Sequence, residues 1–336
     1  GGFKKVGKTG VISTFQSNKP GPTVMIRGDI DALPIVEIND FEHKSKTEGV
    51  SHKCGHDGHT TILLGLAILL SERPIAKGKV LLLFQPAEEN GMGAKAVLED
   101  KEFQKEKIDF VFALHNLPGY KTHQIVVKEN EFTGNVKSII LKMTGKTAHA
   151  AEPEKGYNPS MAISQIFAFA NDITHNKPEE QDFFLMTPIF ATLGDLAYGI
   201  SAGYGEVHFT IRSWSTDLMT QRSKEIVAFI EKTCKTNQLL DDISWTQVFH
   251  ANINHPDAVQ LIRTAAEKNS YELDERAYPF RWGEDFGLFT QQYMGAMFGI
   301  GSGTSTPALH NPDYDYPDEI TETGIGMFYQ IINQIL

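Results

Sequence analysis

The segment 51–59, SHKCGHDGH, brings a thiol, imidazoles and a carboxylate into nine residues: Cys54, His56, Asp57 and His59. Cys54 and His56 are two apart, so on an irregular loop both side chains can face one site. Further groups of the same kinds stand elsewhere: Asp29 and Asp31 in RGDIDALP, Glu88 and Glu89 in PAEEN, His115 in ALHNLP and His310 in ALHNP. A thiolate, imidazoles and carboxylates suit zinc, manganese, cobalt or nickel far better than magnesium or calcium. Two such cations roughly 3.5–4 Å apart can hold a water between them and polarise a carbonyl oxygen, with the sulfur of Cys54 lying between them. That chemistry also needs a proton carrier. Glu88 and Glu89 project differently if their backbone is extended, so one can bind metal while the other takes the proton of the water. Taken singly, each residue has an ordinary explanation: a turn cap for Asp29 and Asp31, a solvated acidic loop, a core thiol, a satisfied histidine. What those explanations leave unexplained is that all the groups follow strand-like or helix-entry signals.

Those signals define the elements that must position the site. Residues 23–30, 78–85 and 108–115 are short continuous apolar runs, the pattern of strands covered on both faces in a largely parallel sheet. Between the first two, residues 58–72 are apolar almost all round and read as a buried helix, and a second helix starts at residue 93. This is α/β patterning. In an open α/β sheet, ligands bind outside the carboxyl ends of the strands, which is where these groups fall. The style changes near residue 132. Strands are expected over 134–144, 183–192, 206–214 and 242–250, with helices over 158–174 and 217–235. This β-α-β-β-α-β order implies an inserted α+β, ferredoxin-like domain with two helices on one face of a sheet. Afterwards α/β character returns, with a helix over 256–268, a strand over 296–300 and a closing helix from about 322. The division is therefore 1–132 and 251–336 for a discontinuous metal-binding domain, and 133–250 for the insert.

The 336 residues, 41% of them hydrophobic, suffice for two cores. A net charge of -11 without basic runs argues against nucleic acid or an anionic membrane as partner. No apolar run is long enough to span a bilayer. Cys54 and Cys234 cannot build a disulfide framework, so a reduced, cytoplasmic setting is the default, and Cys234 reads as a small buried hydrophobe. Gly1 is not a natural start, so a preceding segment, with any targeting signal, is expected to lie outside this sequence.

The motifs RGDIDALP, SHKCGHDGHT, FQPAEENGMGA, ALHNLP, HAAEPEKGYNP, WGEDFG and ALHNPDYDYPDE, in this order along the whole chain, resemble the metallo-amidohydrolases. That group includes hippurate hydrolase, aminoacylase-type enzymes and plant indole-acetyl-amino-acid hydrolases, a branch of the zinc aminopeptidase-like family. The resemblance implies a mostly parallel sheet flanked by helices and interrupted by a lid domain that mediates homodimerisation. It implies two divalent metal ions per subunit, with Cys54, His56, Glu89, His115 and His310 as ligands and Glu88 as the catalytic base. It also implies a substrate role for His149 and an Asp57 that orients a ligand histidine. Arg212 and Gly301 are expected to hold a substrate carboxylate, the first by its guanidinium fork and the second by backbone donors. The implied reaction is cleavage of the amide bond of an N-acyl amino acid. A metallo-exopeptidase uses the same metal core. A catalytically silent small-molecule binding protein has no use for Glu88. The sequence departs from the branch at Gly199-Ile200-Ser201-Ala202, where relatives carry Asn-Ile/Val-Ile-Pro. The acyl group and the amino acid are not readable from the residues.

Overall fold

Four apolar runs, Lys79–Gln85, Thr23–Asp29, Phe110–Pro118 and Met294–Gly303, lie side by side and parallel in the middle of an eight-stranded sheet. Every residue of Thr23–Asp29 is buried, which explains a continuous rather than alternating apolar run. The computed structural model describes residues 2–336. The chain divides into two units: the first runs to Thr133 and resumes over Asn252–Pro279 and Glu284–Leu336, and the second comprises Gly134–Ala251 and Phe280–Gly283.

In the first unit, the strands Gly2–Val6 and Gly10–Gln16 extend the sheet antiparallel beyond Lys79–Gln85. On the other side Ile125–Val127 runs antiparallel to Met294–Gly303 and parallel to Leu273–Glu275. These four border strands are absent from the expectation drawn from sequence. They are short or half-exposed, so they lack the continuous apolar run that marks the central strands. The helices His56–Glu72, Pro256–Lys268 and Ile320–Ile335 pack together over one face, burying Leu66, Ile262 and Phe328 against Val24, Ile26, Leu82, Phe112 and Phe298. The alternate residues Met25, Leu81, Leu83 and Met297 are equally buried and face the other way. There the short helices Gly93–Leu98 and Gly287–Thr290 contact the sheet. The first helix begins at His56, two residues before its apolar stretch, because Gly55 turns the chain at φ 94.

The second unit is a four-stranded sheet in the order Phe184–Leu193, Tyr204–Ser213, Asn135–Thr144, Leu240–Phe249, each neighbour antiparallel. Tyr204–Ser213 alternates between buried and less buried residues, the pattern of a sheet with one covered face. Val207, Phe209 and Ile211 pack with Ile139, Leu141 and Met143 beneath the helices Ser160–Ile173 and Thr216–Thr236, and Cys234 lies in the same cluster. The second helix is capped by Ser215, whose side chain accepts from the Leu218 N–H. A two-residue ribbon pairs Ala148–His149 with Ile200–Ser201. Among the described residues no helix is long and apolar enough to cross a membrane.

Leu66 is 0% exposed between helix and sheet. Leu66→Ala is expected to lower the unfolding free energy of the first unit by about 2–5 kcal/mol. Urea denaturation should show this as a lower midpoint with an unchanged slope.

Candidate metal centre

The carboxyl ends of the central parallel strands deliver most of the site. Thr23–Asp29 ends on Asp29, Phe110–Pro118 carries His115, and the loop after Lys79–Gln85 carries Glu88 and Glu89. Gly55 explains the spacing of Cys54 and His56. Its left-handed turn separates them, and a Cβ there would lie 2.6 Å from the Asn116 side chain. Ala87 (φ 56) and His310 (φ 66) also occupy the left-handed region, which costs a non-glycine residue and recurs where site loops are constrained. The His310 N–H donates to the Lys53 carbonyl at 2.7 Å, tying that loop to the one bearing Cys54.

The donor atoms converge. Cys54, His56 and His115 form one group with ligand atoms within 4.8 Å of one another, Cys54, Glu89 and His310 a second, and His56, Glu88 and Glu89 a third. Cys54, His56 and Glu89 each belong to two of these groups. The Cys54 sulfur lies 3.5 Å from His115 Nε2. His56 Nε2 lies 3.8 Å from one Glu89 oxygen and His310 Nε2 3.6 Å from the other. His56 Nε2 and Glu89 Oε1 are buried and have no hydrogen-bond partner among the described residues. Buried polar atoms are ordinarily paired, so two orphans facing each other among thiol, imidazole and carboxylate donors fit a soft-to-borderline divalent cation.

A ring of hydrogen bonds orients these groups. His56 Nδ1 is 3.1 Å from the Asp31 carbonyl and 3.3 Å from its carboxylate. His115 Nδ1 is held by the Asn116 carbonyl at 2.8 Å. The other Asp31 oxygen accepts from the Glu89 N–H at 3.0 Å, so one side chain sets both a histidine and the acidic loop. Below them, His59 contacts Asp29 at 2.5 Å and Asn116 at 2.7 Å. Asp29 also accepts from Arg27, whose guanidinium further donates to Gln85, Glu284 and Asp285.

The electrostatics follow from this crowding. Burial raises Glu88, and the carboxylates of Glu284, Asp285 and Asp29 raise it further, well above the ordinary range. Burial likewise lifts Glu89 to about 7 against the pull of His56. Burial and the carboxylates of Glu89, Glu88 and Asp29 push the Cys54 thiol well up. Burial would lower His56, but Asp29, Asp31 and Glu89 outweigh it and bring the imidazole to about 9. His115, buried beside His59 and His56, falls to about 3. The pattern is an excess of buried negative charge around one patch.

Two expected roles fall elsewhere. Asp57 sits exposed in the first helical turn, and the carboxylate that holds a histidine of the cluster is Asp31. The Gly301 N–H donates to the Gln124 carbonyl at 2.8 Å, so it is not an open donor. The absence of a Cβ there serves close packing, since one would lie 1.9 Å from the Lys121 carbonyl oxygen. His149 and Arg212 belong to the second unit and are not part of the cluster. His149 is exposed and accepts the Ala151 N–H at Nδ1. Arg212 donates to the Arg281 carbonyl and makes no salt bridge among the described residues. Sequence reasoning missed Arg27, Glu284 and Asp285. The arginine inside an otherwise apolar strand was the available signal, because a buried charge demands partners.

The model of peptidase family M20/M25/M40 matches residues 25–334. N-acetyl-L-cysteine deacetylase of Bacillus subtilis is 32% identical over 296 residues, covering 88% of this chain and 70% of that protein. Hippurate hydrolase of Campylobacter jejuni is 29% identical over 323 residues, covering 95% and 83% respectively. Among solved structures, a dinuclear metal-binding peptidase of the M20 family from Bacillus subtilis superimposes with a TM-score of 0.82 at 25% identity, covering 98% of this chain and 85% of that one. A tripeptidase from Staphylococcus aureus, at 17% identity and a TM-score of 0.70, covers 97% of this chain and 84% of that one and shares the fold alone. Matched from the first central strand to the last helix, the chain belongs to peptidase family M20/M25/M40.

Proposed function

We propose that this chain is a metal-dependent amidohydrolase that cleaves the amide bond of N-acyl amino acids. The observation that carries the reading is the pair of buried, unpartnered donors, His56 Nε2 and Glu89 Oε1, inside the cluster completed by Cys54, His115 and His310. Relatives named for N-acetyl-L-cysteine deacetylation and hippurate hydrolysis supply the substrate class. In this reading Cys54, His56, Glu89, His115 and His310 hold two divalent ions of the zinc, manganese, cobalt or nickel class. When bound, such ions supply Lewis acidity that polarises an amide carbonyl and makes water more acidic.

The chain's own residues then divide the remaining work. Glu88, 5% exposed, takes a proton from the attacking water and returns it to the leaving nitrogen, so that water and amide become carboxylic acid and amine. Burial and the carboxylates of Glu284, Asp285 and Asp29 raise its proton affinity, and two bound cations would offset that rise and favour the ionised form a base requires. Asp31 and the Asn116 carbonyl fix the rings of His56 and His115. Arg212 and the Nε2 of His149 are the substrate-binding candidates on the second unit, which we assign as the lid.

That unit also has the features of a self-association surface. Phe184–Leu193 is an edge strand of its sheet, and Ile189 (60%), Phe190 (45%) and Leu193 (44%) are exposed on it. An unpaired apolar edge invites strand pairing, and a homodimer through the lid would cover it. The two cysteines are free and buried, in keeping with a reducing, cytoplasmic setting.

Three outcomes are expected. Metal-reconstituted protein should hydrolyse one class among N-acetyl, N-benzoyl and N-indoleacetyl amino acids, and Glu88→Gln should abolish turnover while its metal content, read by mass spectrometry, stays at the parental level. Cleavage of dipeptides alone would move the assignment to an exopeptidase. Removal of metal by a chelator should lower the melting temperature, because a ligand bound only by the native state stabilises it, and metal addition should restore it. Finally, Phe190→Lys should shift sedimentation from dimer to monomer; an unchanged dimer would place the interface elsewhere.

A further inference from the structure

The loop bearing Glu88 and Glu89 leaves the strand Lys79–Gln85 and re-enters the fold at the helix Gly93–Leu98. Its ends are drawn together at a neck. The Met92 and Gly93 N–H groups both donate to the Ala87 carbonyl, at 3.2 and 2.9 Å. A Cβ on Gly93 would lie 1.7 Å from the Pro86 carbonyl oxygen. Side chains from other elements meet at this neck. Asp285 accepts from Gln85 Nε2 with both oxygens, at 2.8 and 3.0 Å, and its Oδ2 accepts from the Ala94 N–H at 2.8 Å. One carboxylate therefore grips the residue before the loop and the residue after it. Arg27 donates to Asp285 at 2.9 Å and to Gln85 at 3.0 Å, closing a triangle. Asp285 and Gln85 are 0% exposed and Arg27 1%.

From this arrangement we infer that Asp285 is a positioning residue for the reaction: it clamps the Gln85 and Ala94 ends of the Glu88–Glu89 loop and so sets where the Glu88 carboxylate stands. Among the described residues the Asp285 carboxylate is hydrogen-bonded by Arg27, Gln85 and Ala94, none of them a donor of the metal cluster. Besides the direct effect of its charge on Glu88, it acts through Gln85 and the backbone, and Gln85→Leu isolates that second route. A base must meet its proton within hydrogen-bond reach, and displacements on the scale of 1 Å are enough to slow turnover without changing what is bound. The inference rests on the assignment of Glu88 as base.

The test compares Asp285→Asn with the parent holoenzyme on an amide that the parent cleaves. Asn keeps the shape but loses the charge, and whichever way its amide lies the nitrogen meets donors that the carboxylate accepted from, Arg27 and Gln85 at one oxygen or Gln85 and Ala94 at the other. Expected is a fall in kcat of roughly 10–100-fold, with KM and metal content near the parental values. Gln85→Leu breaks the same grip from the other side and should give the same split. The two together should cost less than the product of their separate effects, since both act through one bridge. If Asp285→Asn does not fold, Gln85→Leu alone carries the comparison. A variant that melts earlier but keeps parental kcat per metal-loaded molecule would overturn the inference, as would loss of activity in proportion to lost metal. A parent silent on every amide would instead count against the function proposed above.

Discussion

Arg27 lies fully buried with Asp29, Glu284 and Asp285 around its guanidinium, and the rest of the site is built outward from that contact. A buried charge is tolerated only when paired and hydrogen-bonded. Here the pairing links residues 257 and 258 positions apart in the chain, because Arg27 donates to Glu284 and Asp285. It joins a central strand to the segment that follows the second unit's last contribution to the chain. The partners outnumber the cation, and Glu88 and Glu89 add to the same side of the balance. That excess lifts Glu88 and, in the proposed reading, is what two divalent ions would offset.

The upper layer depends on this lower one through single shared atoms. Asp29 receives Arg27 on one oxygen and His59 on the other, and His59 continues to Asn116, whose amide reaches the Tyr314 hydroxyl. Asn116 also fills the space that a side chain at Gly55 would need, so the turn separating Cys54 from His56 is shaped by the same chain of contacts. Asp31 does the equivalent work for His56 and Glu89. His56, His115 and the backbone of Glu89 are therefore each fixed by a neighbouring group, which is how a site keeps its geometry on loops.

Much of this was legible before any coordinates. Central strands declared themselves as unbroken apolar runs because both of their faces are covered, and the residues that the fold brings close together were singled out because strand ends in such sheets carry ligand sites. The change of pattern near residue 132 falls where the second unit begins, at Gly134. Border strands such as Ile125–Val127 were not legible, since three residues give no period to read. Asp57 attracted a role by standing beside His56 in the motif, whereas helical geometry points it outward and leaves the histidine to Asp31, 25 positions away. Gly301 attracted one through its freedom of backbone, yet its N–H is spent on Gln124. The Glu284–Asp285 pair stood in a quoted motif without a function, because its partner Arg27 lay in a strand whose pattern spoke only of burial. Proximity across 200 residues or more is a property of the fold, and local spacing does not encode it.

The position of one strand has a consequence for how the molecule comes into being. Met294–Gly303 is inserted between Phe110–Pro118 and Ile125–Val127. The middle of the large sheet is thus completed by a strand synthesised after the sheet's other seven. Until it arrives, Phe110–Pro118 has an open edge, and His310, a few residues further on, has not left the ribosome. Pairings of such long range form slowly. During synthesis the residues of the second unit, continuous in sequence apart from Phe280–Gly283, have all been made before the donor cluster receives His310.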